Sequence, residues 1–255
     1  MRFAPYAAAL RAGGILTVAS VVSLSTALAQ VPAPTHIYEL NGSYADTLGG
    51  PAMAPQGGTL GPTGYNFGLG QGPSLGNAAS VINSSVYSLE MYFEIDQVSS
   101  YRSLISFDNR TTDSGLYNNN ANLTLYRGGN VAVSPTPVFA PNVMTHLLVT
   151  RDGSNNFTAY VNGVQQFTYA DTQGVTTFSG PNNIIWLLRD NSGENASGFL
   201  DFVRIYDTPL TQAQIAERYQ TVVPGGATAA PEPGTLALLG MGMLVGGVVA
   251  RRKRH

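Results

Sequence analysis

Cysteine is absent from this 255-residue chain, which excludes disulfides, thiolate catalysis and Cys-ligated zinc or iron–sulfur centres together. Histidine is scarce: His36, His146 and His255 are the only three and are too scattered along the chain to suggest a zinc site. Lysine occurs only at position 253 and tryptophan only at 186. Between residues 30 and 223 the basic residues are seven arginines, set against fourteen acids, so this stretch carries a formal charge near −7. Such a surface repels phosphate backbones, and nucleic acid is excluded as an expected partner. The longest uninterrupted apolar stretches lie at the two ends of the chain.

At the N-terminus, Arg2 and Arg11 precede an apolar run over 15–28, and Ala27-Leu28-Ala29 supplies the small residues that signal peptidase accepts before Gln30. Residues 1–29 therefore read as a secretory signal peptide. At the other end, a small-residue linker over 224–230 leads to Pro231-Glu232-Pro233, an apolar span over 234–250, and the basic cluster Arg251, Arg252, Lys253 and Arg254. The seventeen residues of this span rise about 25 Å as a helix, long enough to cross a thin inner membrane. The basic cluster is expected to stay cytoplasmic and to leave the preceding domain outside. Residues 231–255 resemble a PEP-CTERM sorting signal. That resemblance implies a Gram-negative host, transient anchoring in the inner membrane, processing by an exosortase, and a final place at the cell surface or in the extracellular matrix.

Residues 30–223 fit one domain of a size that can bury a substantial core without staples. Short alternating apolar runs separated by Gly, Asn, Pro and Asp predict many strands and little helix. In 87–96, Leu89, Met91, Phe93 and Ile95 fall on one face and Glu90, Tyr92, Glu94 and Asp96 on the other, so one face is expected in the core and the other in water. The stretch 146–171 predicts three antiparallel strands turned at 152–156 and at the tight pair Asn162-Gly163. Further strands are expected over 184–188 and 198–206. A single helix should start after Thr211, whose hydroxyl and Gln214 three residues on make a capping box.

Several short segments, taken in order, resemble a laminin-G-like domain of the concanavalin A-like superfamily: IYELNGSYAD from Ile37, GYNF from Gly64, YSLE from Tyr87, DSGLY from Asp113, TRD from Thr150 with YVNG from Tyr160, and FLDFVRIYDTPL from Phe199. The resemblance implies an all-β, two-sheet antiparallel jelly-roll sandwich with variable loops along one edge. It implies no particular ligand.

Two patterns raise catalysis. Glu94-Ile95-Asp96 matches two positions of the Glu-x-Asp-x-Glu strand of related β-glucanases, but the third position is Val98, and a retaining glycosidase needs two carboxyls about 5 Å apart. Glu90 shares the face but stands about 13 Å upstream. Gly72-Pro73-Ser74-Leu75-Gly76 matches the serine-hydrolase elbow, without the helix that should follow it. The domain is accordingly expected not to be an enzyme.

Calcium is the expected cofactor, since relatives of this fold hold such ions through loop oxygens. The side chains at matching acidic positions are Asp46, Asp113, Asp190, Asn191 and Glu194; alternatively these cap turns or pair with Arg189 and Arg204. For sugar stacking, Tyr117 and Tyr126 are the candidates among thirteen tyrosines, placed in loops. Trp186, in the apolar run IIWLLR, is expected in the core. The function these readings imply is binding of extracellular polysaccharide or a matrix protein through the jelly-roll loops. A structural matrix protein without a ligand, or a glycan-active hydrolase, are the alternatives.

Overall fold

A computed structural model describes residues 30–178 and 183–223. The expected signal peptide (1–29), the linker, Pro231-Glu232-Pro233, the span over 234–250 and the basic cluster lie outside the described residues. Among those described, no helix is long and apolar enough to cross a membrane.

The strands in chain order are β1 (His36–Tyr38), β2 (Ala54–Gln56), β3 (Thr59–Gly61), β4 (Gly64–Phe67), β5 (Gly72–Leu75), β6 (Tyr87–Ile95), β7 (Tyr101–Ser106), β8 (Ser114–Asn119), β9 (Asn122–Arg127), β10 (Asn130–Val133), β11 (Thr145–Arg151), β12 (Asn156–Val161), β13 (Val164–Ala170), β14 (Ile185–Leu187) and β15 (Gly198–Tyr206), followed by helix α1 (Gln212–Val222). They build two antiparallel sheets. Sheet A runs β13-β12-β11-β6-β15-β4-β3, with β1 also on β15, and sheet B runs β10-β9-β8-β7-β14-β5-β2. The all-β sandwich is the architecture expected from the alternating runs.

Register explains the core. In sheet A, Leu89 lies between Val149 and Ile205, and Met91 between Leu147 and Val203. Because side chains alternate, all six point the same way, towards Ile105, Leu116, Leu125, Ile185 and Leu187 of sheet B in one buried cluster. The hairpin joining β12 to β13 turns at Asn162 (φ +51°) and Gly163 (φ +75°), left-handed values that Asn and Gly tolerate. Helix α1 starts with the expected box: Gln214 N donates to Thr211 Oγ1 at 3.4 Å and Thr211 N to Gln214 Oε1 at 2.8 Å.

The second face of β6 is dry around Glu90, whereas Glu94 is half-buried and Asp96, just past the strand, is exposed. Ile215 of α1 packs with Leu148, Tyr160, Tyr206 and Leu210 into a second buried cluster on the outer side of sheet A, and Glu90 beneath it is 0% exposed. The alternation was read correctly, but a helix covers the Glu90 part of the face it assigned to water, and only the Glu94–Asp96 end reaches solvent.

Candidate functional site

Pairing in sheet B sets what its outer face displays. Trp186 stands opposite Ser106 on one side and Ser74 on the other, while Ser103 pairs with Tyr117 and Gly115 with Tyr126. Since Ile185 and Leu187 fill the core, the side chain between them points outward. Trp186 is therefore half-buried on the outer face, contrary to its expected place in the core. Both sets of residues in IIWLLR are apolar, so the sequence leaves the phase of alternation open; pairing with β5 and β7 decides it.

Tyr101, Tyr117 and Tyr126 meet edge to face, with ring centroids 5.6–6.1 Å apart and interplanar angles of 71–83°. Tyr117 and Tyr126 sit on strands β8 and β9, not in loops as expected. Tyr117 is 2% exposed, which removes its faces from stacking, and its hydroxyl donates to Asp190 Oδ1 at 3.5 Å. Burial, followed by the charges of Asp190 and Glu194, pushes that phenol up, so it stays a donor. Tyr126 and its neighbour Tyr101 are half-buried and offer partial surface.

Beside this trio lies a group of carboxylates. One oxygen each from Asp113, Asp190 and Glu194 lies within 4.8 Å of the others. Asp113 immediately precedes β8, and the other two come from the loop between β14 and β15. That loop is shaped by Asp190 itself: its Oδ2 accepts from Ser192 N (3.0 Å) and Glu194 N (3.2 Å), while its own N donates to Asn195 Oδ1 (3.1 Å). Ser103 N of β7 anchors the loop by donating to Glu194 O at 2.8 Å. Burial, then the charges of Asp190 and Asp113, raises the Glu194 carboxyl above its usual range. Three like charges held this close repel, and a cation relieves the repulsion. All-oxygen donors suit a hard ion such as calcium or magnesium rather than zinc or copper.

Asp46 and Asn191 are not in this group. Asp46 caps the turn after β1: its carboxylate accepts from Ile37 N, Leu48 N and Gly50 N at 2.9–3.0 Å and meets His36 Nδ1 at 2.7 Å. These bonds outweigh burial and hold its carboxyl low. Asn191 is exposed and adjoins Asp190 without entering the cluster.

The acids flagged for catalysis are apart from each other in environment. Glu94 and Asp96 line a cleft of about 450 Å³ on sheet A with Asn66, Gln71 and Phe199, and Val98 packs against the core. Glu90 is instead locked inside the second cluster: Oε1 meets His146 Nε2 at 2.8 Å, and Oε2 accepts from Tyr206 Oη at 2.6 Å and from Arg218 Nε and Nη2 at 3.3 Å. Burial works against its ionisation, but the bonds and charges of His146, with Arg218 and Tyr206, prevail and hold it at about 2. Ser74 of the elbow pattern lies in β5 and donates to Ala54 O at 3.3 Å.

Comparison with known proteins places this geometry. A laminin-G model described as the concanavalin A-like lectin/glucanases superfamily matches residues 68–216, and a PEP-CTERM protein-sorting motif matches 229–254. No curated protein matches the sequence. Among solved structures, a sialidase of Trypanosoma rangeli is similar at a TM-score of 0.58 and 17% identity, over 75% of this chain and 33% of its own. Domain 4 of an extracellular GH43 arabinanase from Geobacillus stearothermophilus, in complex with arabinotriose, is similar at 0.50 and 19%, over 72% of this chain and 97% of its own. At these identities the likeness is one of fold, and this chain spans about a third of the sialidase's length.

Proposed function

This chain belongs to the concanavalin A-like lectin/glucanases superfamily, and from that membership we propose that it is an exported, non-catalytic module that binds extracellular polysaccharide on the outer face of sheet B. The observation that carries the reading is the juxtaposition of the Asp113, Asp190 and Glu194 oxygens with half-buried Tyr126 and Tyr101. Calcium seated among those oxygens would supply Lewis-acid contacts to sugar hydroxyls. Tyr126 and Tyr101 would orient a sugar ring by its apolar face, and the Tyr117 hydroxyl would hold Asp190 in place. Sorting would proceed by signal peptidase, transient anchoring in the inner membrane and exosortase processing, which the sorting-motif match at 229–254 supports. The non-catalytic reading rests on Val98 standing where a second acid is needed and on Glu90 being fully partnered.

The test is co-sedimentation of the full chain with the host's exopolysaccharide, in calcium and then in chelator. Saturable pelleting that chelator weakens is the expected result. No pelleting in either condition would sink the reading in favour of a protein ligand or a structural role. Intact 234–250 peptide in mature surface material, seen by mass spectrometry, would overturn the processing step.

A further inference from the structure

Three of the seven arginines in the domain are paired with carboxylates: Arg151 with Asp171, Arg204 with Glu39 and Arg218 with Glu90. Arg110 and Arg189 make no ion pair among the described residues. Instead both guanidinium carbons lie over the ring of Trp186, at 4.6 and 5.1 Å from its centroid. Cation–π attraction favours each contact singly, but bringing two like charges to one ring opposes it.

The arrangement is held by specific bonds. Trp186 Nε1 donates to Asn109 Oδ1 at 2.8 Å, Arg110 Nε to Asp190 O at 2.8 Å, and Arg189 Nη1 to Gln56 Oε1 at 3.3 Å. Arg110 N is pinned by Ser106 Oγ at 2.9 Å. The backbone is also strained here. Asn109 and Arg110 are consecutive residues at φ +59°, and Leu188, between Trp186 and Arg189, is at φ +61°. Left-handed conformation is disfavoured for Arg110 and Leu188, though Asn109 tolerates it, and strain of this kind gathers at sites that bind or react. Burial and then the neighbouring charge of Arg189 pull the Arg110 pKa down, against the opposing charge of Asp190. Neither Nη of Arg110 meets a protein acceptor among the described residues.

We infer that Arg110 and Arg189, held on Trp186, form an anion subsite that selects a carboxylate-bearing, uronate-type polysaccharide over a neutral one. A planar guanidinium fork matches a planar carboxylate in two parallel bonds. The inference rests on the polysaccharide reading above and narrows it. The acidic cluster borders the subsite through Asp190, whose carbonyl accepts from Arg110, so a cation among those carboxylates removes the repulsion that an acidic chain would otherwise meet. Acidic glycan and cation should then strengthen each other's binding reciprocally.

Trp186 is the only tryptophan, so its emission reports on this subsite directly. The experiment titrates the full chain with polygalacturonate, dextran sulfate and neutral dextran, by calorimetry and by Trp186 fluorescence. Polygalacturonate should bind best and alone shift the emission, and Arg110→Gln or Arg189→Gln should each weaken it on the order of tenfold. Arg204→Gln, which removes the same charge on sheet A, should not, and circular dichroism of each variant verifies its fold. Equal binding of dextran and polygalacturonate, or unchanged affinity in both site variants, overturns the subsite but leaves the polysaccharide reading standing. Preference for dextran sulfate overturns the choice of carboxylate, and binding of no glycan, the host's exopolysaccharide included, defeats both.

Discussion

The two outer faces of the sandwich use charge in opposite ways. On sheet A, Glu90 is buried under helix α1 with His146, Tyr206 and Arg218 all directed at its two oxygens. On sheet B, three carboxylates crowd together and two arginines crowd onto one ring, and none of these five groups makes an ion pair among the described residues. The first arrangement is closed and completed by the chain itself. The second is half-exposed and leaves like charges side by side, which is why the proposed site is placed on that face.

The comparison breaks most decisively at Glu90. Glu90→Ala leaves His146 and Arg218 without their acid and should cost about 3–5 kcal/mol, seen as a lower urea midpoint; a loss below 1 kcal/mol would mean that the cluster does not anchor α1. Its pH dependence follows from sign. A carboxyl depressed from its usual value to about 2 stabilises the fold fully above its unfolded pKa, and that contribution fades as pH falls through the folded value. Stability should therefore decline between about pH 4.5 and 2 in the wild type and less steeply in Glu90→Gln.

Glu194 is expected to behave in the reverse sense. Its carboxyl is raised in the folded protein, so in chelator the stability it contributes should be greatest at low pH and fall as pH climbs past its unfolded pKa. Calcium at a hundredfold excess over Kd should add about 2.7 kcal/mol, read as a melting temperature several degrees higher. Glu194→Gln should abolish most of that rise, whereas Asp46→Asn should keep it despite a lower baseline. A wild-type melting curve indifferent to calcium would remove the metal from the sheet B face.

Smaller effects sharpen the contrast. Tyr126→Ala should weaken polysaccharide binding roughly tenfold with little change in stability, because an aromatic contact is worth about 0.5–1.5 kcal/mol. The smallest effect is expected at the helix start: Thr211→Ala should cost about 1 kcal/mol of stability and leave ligand binding untouched. A binding loss in Thr211→Ala would show that the two faces are coupled.

Much of the fold was legible from local pattern. The runs over 87–96 and 146–171, the Asn162-Gly163 turn and the Thr211 capping box each depend on residues close in sequence, and each appears where expected. The site was legible only in part. Asp113, Asp190 and Glu194 come together from a set that also held Asp46 and Asn191, because acids that cap a turn and acids that cluster look alike in sequence. Arg110 was not singled out at all; the only hint was its place in a polar loop, and its partner across the ring is 79 residues away.

By itself the sequence determined the C-terminal sorting motif, the acidic and arginine-only stretch over 30–223, and the period-two alternation that makes an all-β sandwich, since these rest on composition and nearest neighbours. Only the tertiary structure decided which apolar face of the Trp186 strand looks inward, that a helix closes over Glu90, and that two distant arginines share one indole. Those outcomes depend on strand register and on packing between distant segments, and alternation carries neither: it tells which residues share a face, and the partners of that face tell whether it is core, anchor or site.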